Sequence, residues 1–197
     1  MSDGDRTAAS RNAGNIVHVQ VRAEEPSDDQ AILAVQAAAF GDAERMPAYV
    51  AELRSRSSGN RGMSLVADSD ERIVGHVVLS PSRLDAARRL VDVLTLSPLG
   101  VLPEYQGRGI GTRLIAEGLL RADSLGFPLV FLEGDPDYYG ARGFVRADHR
   151  GFRSPSLRIP DEAFQVAILS SHEEWMTGTL VYSESFWAHD AVGLREV

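Results

Sequence analysis

Residues 99–112 read Leu-Gly-Val-Leu-Pro-Glu-Tyr-Gln-Gly-Arg-Gly-Ile-Gly-Thr, and this stretch decides the fold of the chain. Ahead of it, Val91–Leu96 has the β-branched and apolar composition of a strand. After it, apolar residues recur at three- and four-residue spacing from Leu114 to Leu125, which predicts a helix. A glycine-rich turn that opens a helix lets backbone N–H groups approach an anion, and the helix N-terminus adds partial positive charge. The sequence therefore predicts a strand–loop–helix unit whose loop, Gln106–Gly111, binds a diphosphate.

Other classes of glycine-rich loop fit less well. A Walker-type loop requires a lysine, and it is excluded because all 20 basic residues of this chain are arginine. The dinucleotide fingerprint Gly-x-Gly-x-x-Gly needs its third glycine one residue later than Gly111, and Glu133 is a weak match to its acidic partner. That fingerprint and a glycine-rich helix start without any ligand are the alternatives that the loop alone leaves open.

Two motifs in order narrow the choice. The loop reads Gln-x-x-Gly-x-Gly from Gln106, with Val-x-Pro from Val101 just upstream, and it resembles the acetyl-CoA-binding motif of the GNAT N-acetyltransferase superfamily. Further on, Tyr139–Phe144 resembles the Tyr-x-x-x-Gly-Phe motif that ends the fourth helix of that family. Together with the preceding Glu133-Gly-Asp-Pro, this segment is typical of one bacterial subgroup of predicted acetyltransferases. The similarity is close over residues 91–146 and looser over about 15–182.

The resemblance implies a fold, an activity and a co-substrate. The fold is of the mixed α+β class, with a mostly antiparallel twisted sheet that is splayed at the motif strand and helices on both faces. The activity is that of an acyltransferase that moves an acetyl group from acetyl-CoA directly to a primary amine of a small molecule or peptide, without a metal. The alternative is a non-catalytic acyl-CoA-binding module that serves regulation or binds a partner protein.

The resemblance also implies which residues hold acetyl-CoA. Pro98 lies inside the motif strand, where proline is confined to edges or bulges, and in this family the strand bulges and separates from its neighbour to admit the pantetheine arm. Arg113 is a second basic residue at the loop, beside Arg108. The expected cofactor-binding residues are three on the strand and seven on the loop: Leu99, Gly100, Val101, Gln106, Gly107, Arg108, Gly109, Ile110, Gly111 and Thr112.

The expected catalytic residues are Tyr139 and Glu133. Tyr139 stands four residues before Gly143, where many GNAT enzymes keep a phenol beside the CoA sulfur, so we expect it to be the general acid, with Tyr138 the weaker candidate. Family members often carry the base at positions that match Thr95 and Ser97 here, and neither residue is a competent base. Asp92 and Glu133 could act through water, and Glu133 is favoured because it ends the strand next to the gap.

Length and composition exclude several other classes of protein. The 197 residues suit one domain, over 15–197, preceded by a polar leader, 1–14, that we expect to be disordered. Cysteine is absent and the five histidines lack ligand spacing, so no metal site and a cytoplasmic location are expected. A net charge of −8 argues against a nucleic-acid partner, and no apolar run approaches a membrane span of roughly 18 residues. A homodimer is compatible with the sequence.

Local patterns predict the remaining elements. Ser55–Gly62 is expected to be a mobile connection, and Arg83–Leu90 a polar connector between strands. Strands are predicted at 16–22, 63–67, 73–80, 129–132, 144–148, 164–169 and 178–181, and helices at 26–40, 47–54, 109–125 and 137–141.

Overall fold

The computed structural model describes residues 19–57 and 62–193. Within these ranges the chain forms nine strands and five α-helices. The strands are β1 (Val19–Ala23), β2 (Met63–Ser69), β3 (Arg72–Ala86), β4 (Leu90–Val101), β5 (Leu129–Glu133), β6 (Val145–Arg146), β7 (Phe152–Arg153), β8 (Phe164–Ile168) and β9 (Gly178–Val181). The helices are α1 (Asp29–Phe40), α2 (Arg45–Ser57), α3 (Ile110–Ser124), α4 (Pro136–Gly140) and α5 (Glu184–Ala188).

All nine strands belong to one mixed sheet. Seven of them run in the order β1-β2-β3-β4-β5-β8-β6, while β9 pairs with the far end of β3 and β7 pairs with β9. Among the described strands, the β4–β5 and β7–β9 pairs are parallel and the others are antiparallel. The mixed α+β class and the mostly antiparallel sheet expected from the sequence are therefore confirmed.

The sheet opens at the middle of β4. Over the described residues, β4 pairs with β5 at two positions, Leu94 with Val130 and Thr95 with Phe131, and β5 continues only against β8. The register between β3 and β4 shifts at the same level, where Val78 stands opposite both Ser97 and Pro98. This is the bulge that a proline inside a strand predicts. Past Thr95, the β5 side of β4 has no strand partner, so the sheet is splayed there.

Helices cover both faces of the sheet. A Cβ at Gly75 would touch Ile110 and Leu114 of α3, whereas a Cβ at Gly100 would touch Gln36 and Ala39 of α1. Gly100 pairs with His76, the neighbour of Gly75, and neighbouring residues of a strand point to opposite faces. Thus α1 and α3 lie on opposite faces, and the core is built in two layers around the sheet.

Local sequence explains the main elements. Ile32, Val35 and Gln36 of α1 are buried at helical spacing, and Gly41, at φ 65°, ends that helix in the left-handed conformation. The β2–β3 hairpin turns through Asp70 and Glu71, both at positive φ, as a two-residue loop requires.

The structure corrects several of the predicted bounds. The connector expected at Arg83–Leu90 is limited to residues 87–89, because β3 continues to Ala86 and β4 begins at Leu90, and Arg83 and Asp85 are paired with the neighbouring strands. The strand expected at 144–148 is limited to β6, and β7 had no prediction. Helix α2 is longer than expected and includes residues 55–57 of the predicted mobile connection. The predicted leader 1–14, residues 16–18 of the first strand and residues 58–61 lie outside the described residues.

Across residues 19–57 and 62–193, no helix combines the length and the apolar composition that crossing a membrane requires.

Candidate active site

The glycine loop forms one wall of a pocket at the N-terminus of α3. Gly107 and Gly109 have φ of 72° and 79°, a conformation that favours glycine, and Gly109 is the N-cap of α3. The pocket has a volume of about 590 Å³, and we call it the loop pocket. Its walls contain most of the expected cofactor-binding residues and both tyrosines of the second motif: Leu99, Val101, Tyr105, Gln106, Gly107, Gly109, Ile110, Gly111, Thr112, Tyr138, Tyr139 and Arg142.

Side chains brace this loop against its neighbours. Gln106 Nε2 donates to the Val101 carbonyl at 3.0 Å, which ties the loop to the end of β4. The Tyr138 hydroxyl lies over Gly111, where a Cβ would collide with it. The glutamine of the motif therefore positions the loop, and the glycine leaves room for a phenol at the helix N-terminus.

Arg142 supplies the positive charge of the loop pocket. Its Nε donates to Thr112 Oγ1 at 2.9 Å, its Nη1 donates to the Tyr138 carbonyl, and its guanidinium carbon lies 3.6 Å from the centre of the Tyr138 ring. Among the described residues that line the pocket, it is the one charged side chain. Three contacts hold the guanidinium in place before any ligand arrives.

The two arginines singled out in the sequence lie elsewhere. Arg108 is exposed, and its guanidinium lies 5.2 Å from the centre of the Tyr105 ring rather than among the residues that line the pocket. Arg113 donates to the Val19 carbonyl of β1 at 2.9 Å. Sequence reasoning missed Arg142, although it lies inside the second motif, three residues after Tyr139.

Helix α4 carries the candidate acid. Asp135 caps the helix, accepting hydrogen bonds from the backbone N–H of Asp137 and of Tyr138. The Tyr139 ring packs against Gly134, where a Cβ would collide with it, and edge-on against Phe144 at 5.8 Å between ring centres. Burial raises the pKa of Tyr139 to about 12, so the phenol is protonated at neutral pH.

A second, smaller pocket lies at the gap between β4 and β5. Its volume is about 140 Å³, and we call it the carboxylate pocket. Seven residues line it: Thr95, Ser97, Glu133, Tyr182, Phe186, Ala191 and Gly193. The structure thus brings Glu133 together with the two positions, Thr95 and Ser97, at which the sequence lacked a base. It also adds Tyr182, which follows β9, Phe186 of α5, and Ala191 and Gly193 of the chain beyond α5, a region in which the sequence showed no motif.

Glu133 is held from both sides in this pocket. The Tyr182 hydroxyl donates to Oε1 at 2.7 Å, and the backbone N–H of Gly193 donates to Oε2 at 2.8 Å. Burial raises the pKa of Glu133, while these two hydrogen bonds oppose the shift. A carboxylate with a raised pKa is a better proton acceptor near neutral pH.

The other candidates for a base are placed differently. Asp92 is exposed and forms an ion pair with Arg83 at 3.0 Å, outside both pockets. Thr95 shares a 2.8 Å hydrogen bond with Ser82. The Tyr49 hydroxyl of α2 is buried and faces the Ser97 side chain, which interacts with it. Burial raises its pKa, so this phenol is also protonated. In the described part of the chain, no three His, Asp or Glu side chains come together as metal ligands would.

Comparison with known proteins identifies the family. The acetyltransferase (GNAT) family model matches residues 30–152, more than half of the chain. The chain belongs to the GNAT family of acetyltransferases. The uncharacterized N-acetyltransferase YjhQ of Escherichia coli K12 is 32% identical to this GNAT chain over 146 residues, which cover 74% of the chain and 80% of YjhQ.

Solved GNAT structures share the fold. The crystal structure of YhbS from Escherichia coli, a GNAT family N-acetyltransferase in complex with CoA, superposes with a TM-score of 0.76 at 29% identity, covering 89% of this chain and 96% of YhbS. A GNAT family acetyltransferase from Brucella melitensis in complex with acetyl-CoA gives a TM-score of 0.68 at 29% identity and covers 86% of this chain and 99% of its own.

Proposed function

We propose that this chain is an acetyl-CoA-dependent N-acetyltransferase that transfers the acetyl group directly to a primary amine. One observation carries the proposal. A glycine-lined loop pocket and a pocket built around a partly buried carboxylate both border the same splayed strand, β4. The complexes of YhbS with CoA and of the Brucella protein with acetyl-CoA support the choice of co-substrate.

The loop pocket suits the chemistry of acetyl-CoA. Backbone N–H groups from Gly107 to Thr112 surround the N-terminus of α3, where a diphosphate is stabilised by the helix dipole. Arg142 would add a fixed positive charge to that anion. The unpaired side of β4, at Leu99–Val101, would hydrogen-bond the amide groups of the pantetheine arm as an added strand does.

The residues around the gap have different roles in the proposed reaction. An ammonium group must lose a proton before its nitrogen can attack, and Glu133 accepts that proton, directly or through a water. Backbone N–H groups of β4 stabilise the negative charge that develops on the thioester oxygen. The C–N bond then forms, the nitrogen releases its second proton to water, the C–S bond breaks and the sulfur leaves as a thiolate. The Tyr139 phenol donates a hydrogen bond to that sulfur, and a proton that it transfers is replaced from water.

The pKa of Tyr139 limits how much this phenol can contribute. A proton transfer from a phenol of pKa about 12 to a thiolate of pKa about 8.5 is uphill by roughly 3–4 pKa units. Tyr139 therefore acts mainly as a hydrogen-bond donor to the developing charge. This places its expected effect at the low end of the range for general acids.

Binding of acetyl-CoA by the loop is the first test. Gly109→Glu would place bulk and negative charge beside the diphosphate and should weaken acetyl-CoA binding by more than about tenfold in calorimetry. Gly126→Glu is the matched control, because Gly126 has the same φ of 79° and open space around it but lies at the other end of α3. Arg142→Gln should cost about tenfold in affinity, the value of a charged hydrogen bond.

Two outcomes separate binding from catalysis. Unchanged acetyl-CoA affinity in a folded Gly109→Glu protein would exclude the loop as the binding site. CoA release should be observed with acetyl-CoA and a panel of amines and peptides. Retained acetyl-CoA binding without transfer to any amine would instead support a non-catalytic acyl-CoA-binding module.

A further inference from the structure

The carboxylate pocket has one sign of charge. Glu133 is the one charged side chain among the described residues that line it. The nearest basic group with an effect on Glu133 is Arg158, and its charge is compensated by Asp190 at 2.6 Å. An unneutralised carboxylate in a small pocket attracts a cation and repels an anion.

The polar groups of the pocket are arranged to accept hydrogen bonds from such a cation. The Tyr182 hydroxyl and the Gly193 N–H each use one position on Glu133, and each carboxylate oxygen keeps a further lone pair. Ser97 contributes a hydroxyl from the wall. These groups match the three donors of an alkylammonium group.

The remaining wall suits methylene groups. Phe186 and Ala191 line the pocket, and the Phe186 ring stacks on the Tyr182 ring with centres 4.5 Å apart. The volume of about 140 Å³ holds roughly five non-hydrogen atoms, at about 30 Å³ for a water-sized group. A nitrogen and four carbons of an unbranched chain fill such a space.

We propose that the acceptor is a primary ammonium group at the end of an unbranched methylene chain, with no carboxylate on the carbon that bears the nitrogen. The inference rests on the proposed function and narrows it. A carboxylate on that carbon would lie within a few ångströms of Glu133, and like charges at this distance repel strongly where water is scarce. Amino acids that react through the α-amine are therefore poor acceptors. Free alkyl amines and diamines share the favoured chemistry with lysine side chains.

Five acceptors test this selectivity with the full chain and acetyl-CoA. The value of kcat/KM should be at least about 100-fold higher for n-pentylamine than for norleucine, which is the same chain with a carboxylate beside the nitrogen. 2-Aminohexane carries an uncharged methyl branch in place of the carboxylate, so it separates the effect of bulk from that of charge. Its kcat/KM should lie between the values for the other two. Cadaverine, a free diamine, is compared with a peptide that has one internal lysine and an acetylated N-terminus. This comparison shows whether the primary ammonium group comes from a small molecule or from a lysine side chain. Norleucine equal to or better than n-pentylamine would overturn the proposal.

Variants tie the selectivity to Glu133. Glu133→Gln removes the charge at nearly constant shape, so the preference for n-pentylamine over norleucine should shrink at least about tenfold, whatever the loss of overall rate. Asp92→Asn is the control, because Asp92 is an exposed carboxylate outside the pocket, and it should leave the ratio unchanged. A ratio that is the same in Glu133→Gln and in the parent protein would contradict the assignment.

A binding measurement covers the case in which no amine is acetylated. Calorimetric titration of n-pentylamine into the CoA-saturated protein should show binding that Glu133→Gln abolishes and norleucine does not reproduce. Such binding without acetylation of any amine would reject the proposed catalysis but support the carboxylate pocket as a binding site for an alkylammonium group. Equal binding of norleucine, or no binding of n-pentylamine, would overturn the pocket assignment itself.

Discussion

Two adjacent tyrosines of α4 have different surroundings and therefore different tasks. The Tyr138 hydroxyl lies over Gly111, and its ring carries the Arg142 guanidinium, so it supports the loop pocket. Tyr139 packs between Gly134 and Phe144, and its burial keeps the phenol protonated. Side chains of neighbouring helical residues diverge by about 100°, so the two phenols cannot exchange roles.

We predict that Tyr139→Phe lowers kcat by about 100-fold while acetyl-CoA affinity is nearly unchanged, because the ring stays and only the donor is removed. Tyr138→Phe is the matched control and should reduce kcat much less. The measurement is kcat from CoA release, with an active amine and chemistry limiting the rate. If kcat of Tyr139→Phe is within about threefold of the parent value, Tyr139 serves only in packing and water protonates the thiolate.

At the scale of elements, a buried hydrogen-bond chain joins α1 to β3 and β2. Gln36 Nε2 lies 2.8 Å from His76 Nδ1, His76 Nε2 lies 2.7 Å from Ser64 Oγ, and Ser64 donates to Glu24. Because Gln36 donates to Nδ1, the proton of a neutral imidazole is on Nε2, and every bond of the chain then points toward the carboxylate. Burial lowers the pKa of His76 to about 3, so the ring stays neutral in the folded protein.

The buried hydrogen-bond chain around His76 predicts a loss of folding stability in mild acid. Between pH 6.5 and 3 the unfolded chain binds a proton at His76 and the folded chain does not, so stability is full above pH 6.5 and falls as the pH decreases. The loss at pH 5 is about 2 kcal/mol. Urea unfolding at pH 7 and pH 5 should show a smaller drop for His76→Gln than for the parent, because the two proteins share all other titrating groups. Should the variant not fold, an NMR titration of the parent gives the answer, and an imidazole that titrates between pH 7 and 5 would contradict this account.

At the scale of the whole molecule, the gap in the sheet joins two pockets. Leu99, in the loop pocket, points to the face that α3 covers. On the other side, Glu133, in the carboxylate pocket, accepts hydrogen bonds from Tyr182 and Gly193, which lie before and after α5. The C-terminal part closes the second pocket through contacts of His189 with Glu52 at 2.7 Å and of Gly193 with Glu133 at 2.8 Å. Under the proposed function, acetyl-CoA and the amine occupy these two pockets at once and meet at β4.

The proposed function includes direct transfer in a ternary complex, which predicts a sequential kinetic pattern. Initial rates at varied acetyl-CoA and amine concentrations should give intersecting lines in double-reciprocal plots. Incubation with acetyl-CoA alone should leave the mass of the protein unchanged, because the chain has no cysteine to carry an acyl group. Parallel lines together with an acetylated intermediate would refute direct transfer.

The local parts of the site could be predicted from the sequence. Turn glycines, the α3 periodicity and the Asp135 cap depend on neighbours within a few residues, so Gln106–Gly111 and Tyr139 were found as motifs. The bulge at Pro98 was predictable for the same reason, since proline lacks the N–H that a ladder requires. The continuation of β3 through Arg83–Ala86 was missed because its polar residues satisfy their hydrogen bonds with β4 and β9, which are remote in sequence.

By itself, the sequence determined the class of fold, the glycine-rich loop and the family, because each depends on residue type at short spacing. Tertiary structure alone decided which charged side chains line the two pockets. It placed Arg142, and not Arg113, in the loop pocket, and it placed Asp92, the second carboxylate that the sequence offered, outside the pocket that contains Glu133. It also brought Tyr182 and Gly193 to Glu133 across 49 and 60 residues of chain. The burial and the net charge of a site depend on all the residues that the fold packs around it, and these residues are remote in sequence. A local sequence pattern therefore cannot predict them.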